Sequence, residues 1–151
     1  MTTAVSLRLA LAANALFSVS CAALMLFRPI LVGGWLGIQA PLVIQAVGAG
    51  LVFFAADLLH QATRRRIATW RALYASAADF LWVIGTFVLL GLFPSVLSHS
   101  GSGLVIAVAA AVLFFGTWQV WAIGNAHKLP NKDEYGYSLT DGVVIIGKKR
   151  A

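Results

Sequence analysis

The sequence predicts an all-α membrane protein, a four-helix transmembrane bundle, and three observations carry that expectation. Apolar residues make up 60% of the 151-residue chain and charged residues only 11%, whereas soluble domains carry about 25% charged residues. Four stretches reach the roughly 20 apolar residues that a helix needs to cross a bilayer. The basic residues, finally, fall almost entirely on one side of those stretches.

The spans cover 7–27, 41–60, 73–92 and 104–123, so residues 1–127 form the bundle. Backbone polar groups in lipid must pair within their own segment, and no alternating pattern suggests a barrel, so the spans are helices. The first is expected to stay in the membrane: it has one early basic residue, Arg8, a long apolar core and no clear cleavage site. Between the first two spans, Pro29, Gly33, Gly34 and Gly37 punctuate an apolar stretch. It reads as an interfacial turn or short re-entrant piece anchored by Trp35.

Arg8, Arg64, Arg65, Arg66, Arg71, Lys128, Lys132, Lys148, Lys149 and Arg150 lie on one side, and Arg28 alone on the other. The positive-inside rule then places both termini and the middle loop in the cytoplasm. Trp70, Tyr74, Trp118 and Trp121 gather toward that face as an aromatic belt. For close helix packing, Ser18 and Ala22 on the first span and Ala107 and Ala111 on the fourth have suitable spacing.

The two halves share a faint pattern. Residues 13–17 align with 78–82, setting Asn14 opposite Asp79, and Pro29 then falls opposite Pro94. True duplication would make a parallel repeat, and chance likeness between apolar helices competes with it.

Residues 128–151 form a short cytoplasmic tail. Leu129, Pro130 and Asn131 end the last helix, and apolar runs on either side of Asp141-Gly142 suggest a small hairpin. A lone hairpin is marginally stable, so it would dock on a partner, the bundle or lipid. Disorder is the alternative.

Net charge is +6, but the basic residues are few and local, which favours an anionic leaflet over nucleic acid. Cys21 is the only cysteine, so an intrachain disulfide and a thiolate metal site are excluded. It reads as a small packing residue. His60, His99 and His127 offer no facing pair for haem. No cofactor or metal is expected, and no nucleophile–base arrangement or phosphate loop argues for an enzyme.

Asp57 and Asp79 stand inside otherwise uncharged spans. Ionisable groups at membrane depth are candidate functional sites and need partners. Both lie roughly 8 Å inside the boundary at 1.5 Å per residue. Asp79 sits near a helix N-terminus, which favours negative charge, and Asp57 near a C-terminus, which does not. Asp57 therefore has the greater need, with His60, Arg8 or a loop arginine in reach. Asp57, His60, Asp79 and Arg8 form the candidate polar cluster. It reads as a proton or cation relay or as an ion-pair clamp, and the clamp is favoured because neither carboxylate is near the midplane. Trp82, Trp118 and Trp121 could line an aromatic pocket, with interface anchoring the commoner role. Gln45 and Asn14 suit hydrogen bonds between helices.

The strings Ala13-Asn14-Ala15-Leu16-Phe17-Ser18, Trp35-Leu36-Gly37 after Pro29, and 78–85 with its Asp79-x-x-Trp82 element resemble a loose set of small bacterial four-span proteins. In size and layout the chain is also similar to DoxX-like membrane proteins, without a functional motif of theirs. The resemblance implies a bacterial inner-membrane protein and supplies no catalytic residue. The expected function is a non-enzymatic accessory, assembly or scaffolding subunit of a larger membrane complex, with other subunits or its own copies as partners. The alternatives are a small oligomeric proton-coupled transporter using Asp57 and Asp79, and a lipid- or quinone-binding protein.

Overall fold

The computed structural model describes residues 3–64, 66–127, 137–140 and 143–146, with side chains described for 5–64 and 70–125. Four helices are long and apolar enough to cross a membrane: α1 (Thr3–Phe27), α3 (Pro41–Thr63), α4 (Thr69–Leu92) and α5 (His99–His127), with a short α2 (Pro29–Leu36) between the first two. The chain is a multi-pass helical bundle.

Helix ends follow local chemistry. Pro29 and Pro41 occupy the first turns of α2 and α3, where the missing N–H would have had no helical partner anyway. Gly37 closes α2 in the left-handed region at φ 79°, a conformation glycine adopts without a Cβ penalty. The apolar stretch at 30–36 is thus a two-turn helix within the expected interfacial piece. The fourth helix begins at His99, five residues before the apolar window, so His99 belongs to a helix and not to a loop. Ser98 caps it: the Gly101 N–H donates to the Ser98 hydroxyl at 3.0 Å, satisfying one of the orphan donors of the first turn.

The helices are apolar on every side, and small or polar residues mark the inner faces. On α1 the buried line runs Leu7, Leu11, Asn14, Ala15, Ser18 and Ala22; on α4 it runs Ala72, Ala75, Ser76, Asp79, Val83 and Thr86. On α5 it is Ala109, Val112, Gly116, Gln119 and Ala122. Ala107 is exposed, so the close-packing face expected at Ala107 and Ala111 is rotated: Ala109 and Gly116 do that work. Ala22 does face a neighbour, since a Cβ on Gly48 would lie 3.3 Å from its carbonyl oxygen.

α1 packs along both α3 and α5, α5 packs along α4, and α3 and α4 barely touch. A symmetric duplication would pair α3 with α4 as it pairs α1 with α5, so any repeat is broken at that seam. The basic end, which carries Arg8, Arg64 and Arg71 among others, is closed by a core of Leu7, Leu11, Leu58, Ala72, Ala75 and Ile123 drawn from all four long helices. The opposite end is closed by Val32, Leu36, Ile44 and Leu97.

A three-stranded antiparallel sheet lies outside the bundle, with strand order β1-β3-β2. Strand β1 (Arg66–Ala68) comes from the α3–α4 connection; β2 (Tyr137–Thr140) and β3 (Val143–Ile146) form the tail hairpin, with Thr140 opposite Val143. The hairpin expected from the sequence docks on the bundle's own loop. Its turn, Asp141-Gly142, and the tail lysines lie outside the described residues.

Candidate functional site

The inner faces of α1, α4 and α5 converge on one carboxyl group. Asp79 is 2% exposed. Its Oδ2 accepts from Asn14 Nδ2 at 2.8 Å and from Gln119 Nε2 at 3.2 Å. Each amide is itself oriented. Asn14 Oδ1 lies 3.5 Å from the Ser18 hydroxyl, and Gln119 Oε1 lies 3.4 Å from the Ser76 hydroxyl, which also donates to the Ala72 carbonyl. The chain Ser18–Asn14–Asp79–Gln119–Ser76 thus joins three helices at one depth. Gly116 makes room for it, since a Cβ there would stand 3.2 Å from Asp79 Cβ.

Asp79 also forms part of the wall of a cavity of about 270 Å³. The cavity fills the seam that α3 and α4 leave open. Phe17 and Cys21 of α1, Gly50 and Phe54 of α3, Trp82 of α4 and Val112 of α5 line it beside Asp79, and Ser18 adds a hydroxyl. Among the described residues Asp79 Oδ1 has no hydrogen-bond partner, and Asp79 borders the cavity, which leaves this oxygen to it. Trp82 is 39% exposed and Gly50 is also exposed, so the mouth lies between α3 and α4, toward lipid. The closed core at the basic end separates the cavity from that surface.

The four residues expected to cluster do not meet. Asp57 pairs with Arg71 at 2.5 Å and accepts from Gln61 Nε2 at 2.6 Å. His60 Nε2 faces Arg64 Nε and Nη2 at 3.0 and 2.8 Å, and Arg8 donates to the Arg64 carbonyl at 2.6 Å. These contacts belong to the basic end; Asp79 belongs to the interior. Arg71, the partner of Asp57, precedes Asp79 on α4 by eight residues, about 12 Å along the axis at 1.5 Å per residue, and the two carboxylates share no hydrogen-bond partner among the described residues. Asp57 finds its partner in Arg71, an arginine of the expected loop, while Asp79 turns to amides. Asp57, a third exposed, has a cation within reach, and the pair contributes at most about 1 kcal/mol after solvent screening. Asp79 has none. Helix dipoles act by nearness to a helix end, whereas the direction in which each carboxyl turns decides its partner.

The three tryptophans separate too. Trp82 lines the cavity. Trp118 and Trp121 line a shallow surface groove with Phe114 and Thr117, and Trp118 Nε1 donates to Ser6 Oγ at 3.0 Å. Trp121, Trp70 and Tyr74 are largely exposed on the outside of the bundle, where amphipathic rings serve as interface anchors. Gln45 donates to the Leu26 carbonyl at 3.3 Å, a contact between α1 and α3.

Gln119 is the residue the sequence reading missed. Its signal was available: a lone amide in an apolar span, three residues after Gly116, on the face continued by Ala122 and Ile123. Among the described residues no three His, Cys, Asp or Glu side chains gather as metal ligands. Comparison with family models, with curated proteins and with solved structures finds no match for this chain.

Proposed function

We propose that this protein binds an apolar or amphipathic small molecule inside the bilayer, in the cavity between α3 and α4, without transforming it. The observation that carries the reading is a buried carboxyl whose free oxygen faces an apolar cavity that opens toward lipid. Ligand sites are typically concave and mostly apolar with a few placed polar groups. In this reading the protein sits in a bacterial inner membrane with both termini cytoplasmic, as the side preference of Lys and Arg supports. The ligand partitions into lipid first and enters sideways.

An accessory or scaffolding subunit is the second reading. Strands β1 and β2 are the outer strands of the small sheet, and an open strand edge is a template for pairing with another chain. The transporter reading would need a path through Asp79 alone, because Asp57 does not line the cavity.

Gly50 supplies the test. A Cβ at this position meets nothing within 4 Å, so Gly50→Leu puts a side chain at the cavity mouth without a backbone clash. Equilibrium dialysis of 4-phenylbutan-1-ol against the protein in phosphatidylcholine nanodiscs, corrected for empty nanodiscs, should show saturable binding. Gly50→Leu should weaken it by about tenfold or more, a loss of about 1.4 kcal/mol. Thermal stability should hold or rise, since leucine exceeds glycine in helix propensity by somewhat under 1 kcal/mol. Unchanged binding in Gly50→Leu would contradict the cavity as the site.

A further inference from the structure

We propose that the Asp79 cavity selects organic cations: molecules with an apolar body and one amine-type positive charge. The inference rests on the reading of the cavity as a ligand site and names the class of ligand.

The first support is the distribution of charge. Among the described residues the arginines are committed elsewhere. Arg8 donates to the Arg64 carbonyl, Arg64 to His60, and Arg71 holds Asp57, so none of these three side chains is hydrogen-bonded to Asp79. Arg28 follows α1 at its far end, fourteen residues beyond Asn14, about 21 Å along the helix at 1.5 Å per residue. Asp57 has a cation; Asp79 has amides only. A buried carboxylate is costly unless a positive charge pairs with it, and the space beside Asp79 is the cavity.

The second support is directional. Both amide donors converge on Oδ2, with the Ser18 hydroxyl 3.5 Å from the Asn14 carbonyl end and the Ser76 hydroxyl 3.4 Å from that of Gln119. The carboxyl is fixed with Oδ1 presented to the cavity. An N–H of a protonated amine can donate to it, and charge-assisted hydrogen bonds of this kind are about twice as strong as neutral ones.

The walls choose among cations. A bare inorganic ion such as calcium asks for about six to eight oxygen ligands, whereas this cavity offers one carboxyl and the Ser18 hydroxyl. Phe17, Phe54 and Trp82 instead present rings, and aromatic faces attract a desolvated organic cation. The same rings and the aliphatic lining take up an apolar body.

The test compares two isosteric probes, 4-phenylbutylamine, which is cationic at neutral pH, and 4-phenylbutan-1-ol, in phosphatidylcholine nanodiscs with empty discs subtracted. The wild-type protein should bind the amine about tenfold or more tightly than the alcohol, reflecting the charge-assisted contact. Asp79→Asn should bring the amine down to the affinity of the alcohol. Equal affinities on the wild type, or a preference for the amine that survives Asp79→Asn, would overturn the proposal. If the alcohol binds and the amine binds no better, cation selection alone falls. If neither probe binds the wild type, the reading of the cavity as a ligand site falls with it.

Discussion

Asp79→Ala is expected to lower the stability of the bundle by about 2–3 kcal/mol, whereas Asp79→Asn should cost less than about 1 kcal/mol. Hydrogen bonds between membrane helices average about 0.6 kcal/mol and reach about 1.7. Alanine removes two such bonds at once and leaves Asn14 Nδ2 and Gln119 Nε2 without their acceptor. Unpaired buried donors add their own desolvation cost. Asparagine keeps an acceptor oxygen at the same place, so both amides retain a partner. Thermal unfolding in one detergent, read by size-exclusion recovery after heating, separates the two variants. Equal losses for alanine and asparagine would mean that the carboxyl, and not its acceptor oxygen, holds the three helices together.

The second large effect is expected at the opposite end. A Cβ on Gly101 would stand 2.5 to 2.8 Å from backbone atoms of Leu36, and backbone cannot rotate aside. Gly101→Ala must therefore part the start of α5 from the end of α2. That movement strains the Ser98 N–H to Leu36 carbonyl bond at 2.9 Å and the Ser98 hydroxyl to Trp35 carbonyl bond at 3.0 Å. The expected loss is about 2–3 kcal/mol, from overpacking together with weakened hydrogen bonds. Gly103 lies two residues on and has nothing within 4 Å of its Cβ position. Gly103→Ala should be neutral or stabilising by up to about 1 kcal/mol through helix propensity. The pair of alanine variants in the same thermal assay separates close packing from propensity, and equal behaviour would contradict the contact.

Much of the architecture was legible because the bilayer sets helix length. Four apolar windows located four helices, and the helices then ran past those windows: α5 starts at His99 because Ser98 caps it, a matter of local hydrogen bonding and not of hydropathy. Helix faces were not legible. In water an apolar stripe betrays the buried side, but lipid is as apolar as a protein core. The rotation of α5 could therefore not be read from Ala107 and Ala111, and Gln119 passed unnoticed. The same ambiguity misjudged the aspartates. Asp57 and Asp79 had similar positions relative to the apolar windows, yet a long arginine side chain reaches one from the basic end while the other turns inward. Asn14 was legible as a hydrogen-bonding residue between helices; its partner, Asp79, needed the three-dimensional arrangement. The cavity was hidden for a related reason, since it arises where α3 and α4 fail to pack.

The central claim is that this seam holds a ligand site reached from the bilayer. Photolabelling in nanodiscs with a diazirine-bearing 4-phenylbutylamine, followed by peptide mapping, tests it most directly. The account predicts saturable adducts on Cys21, Phe54, Trp82 and Val112, displaced by unlabelled amine. Adducts spread over outward-facing residues such as Phe53, Leu81 and Leu113, without displacement, would contradict it.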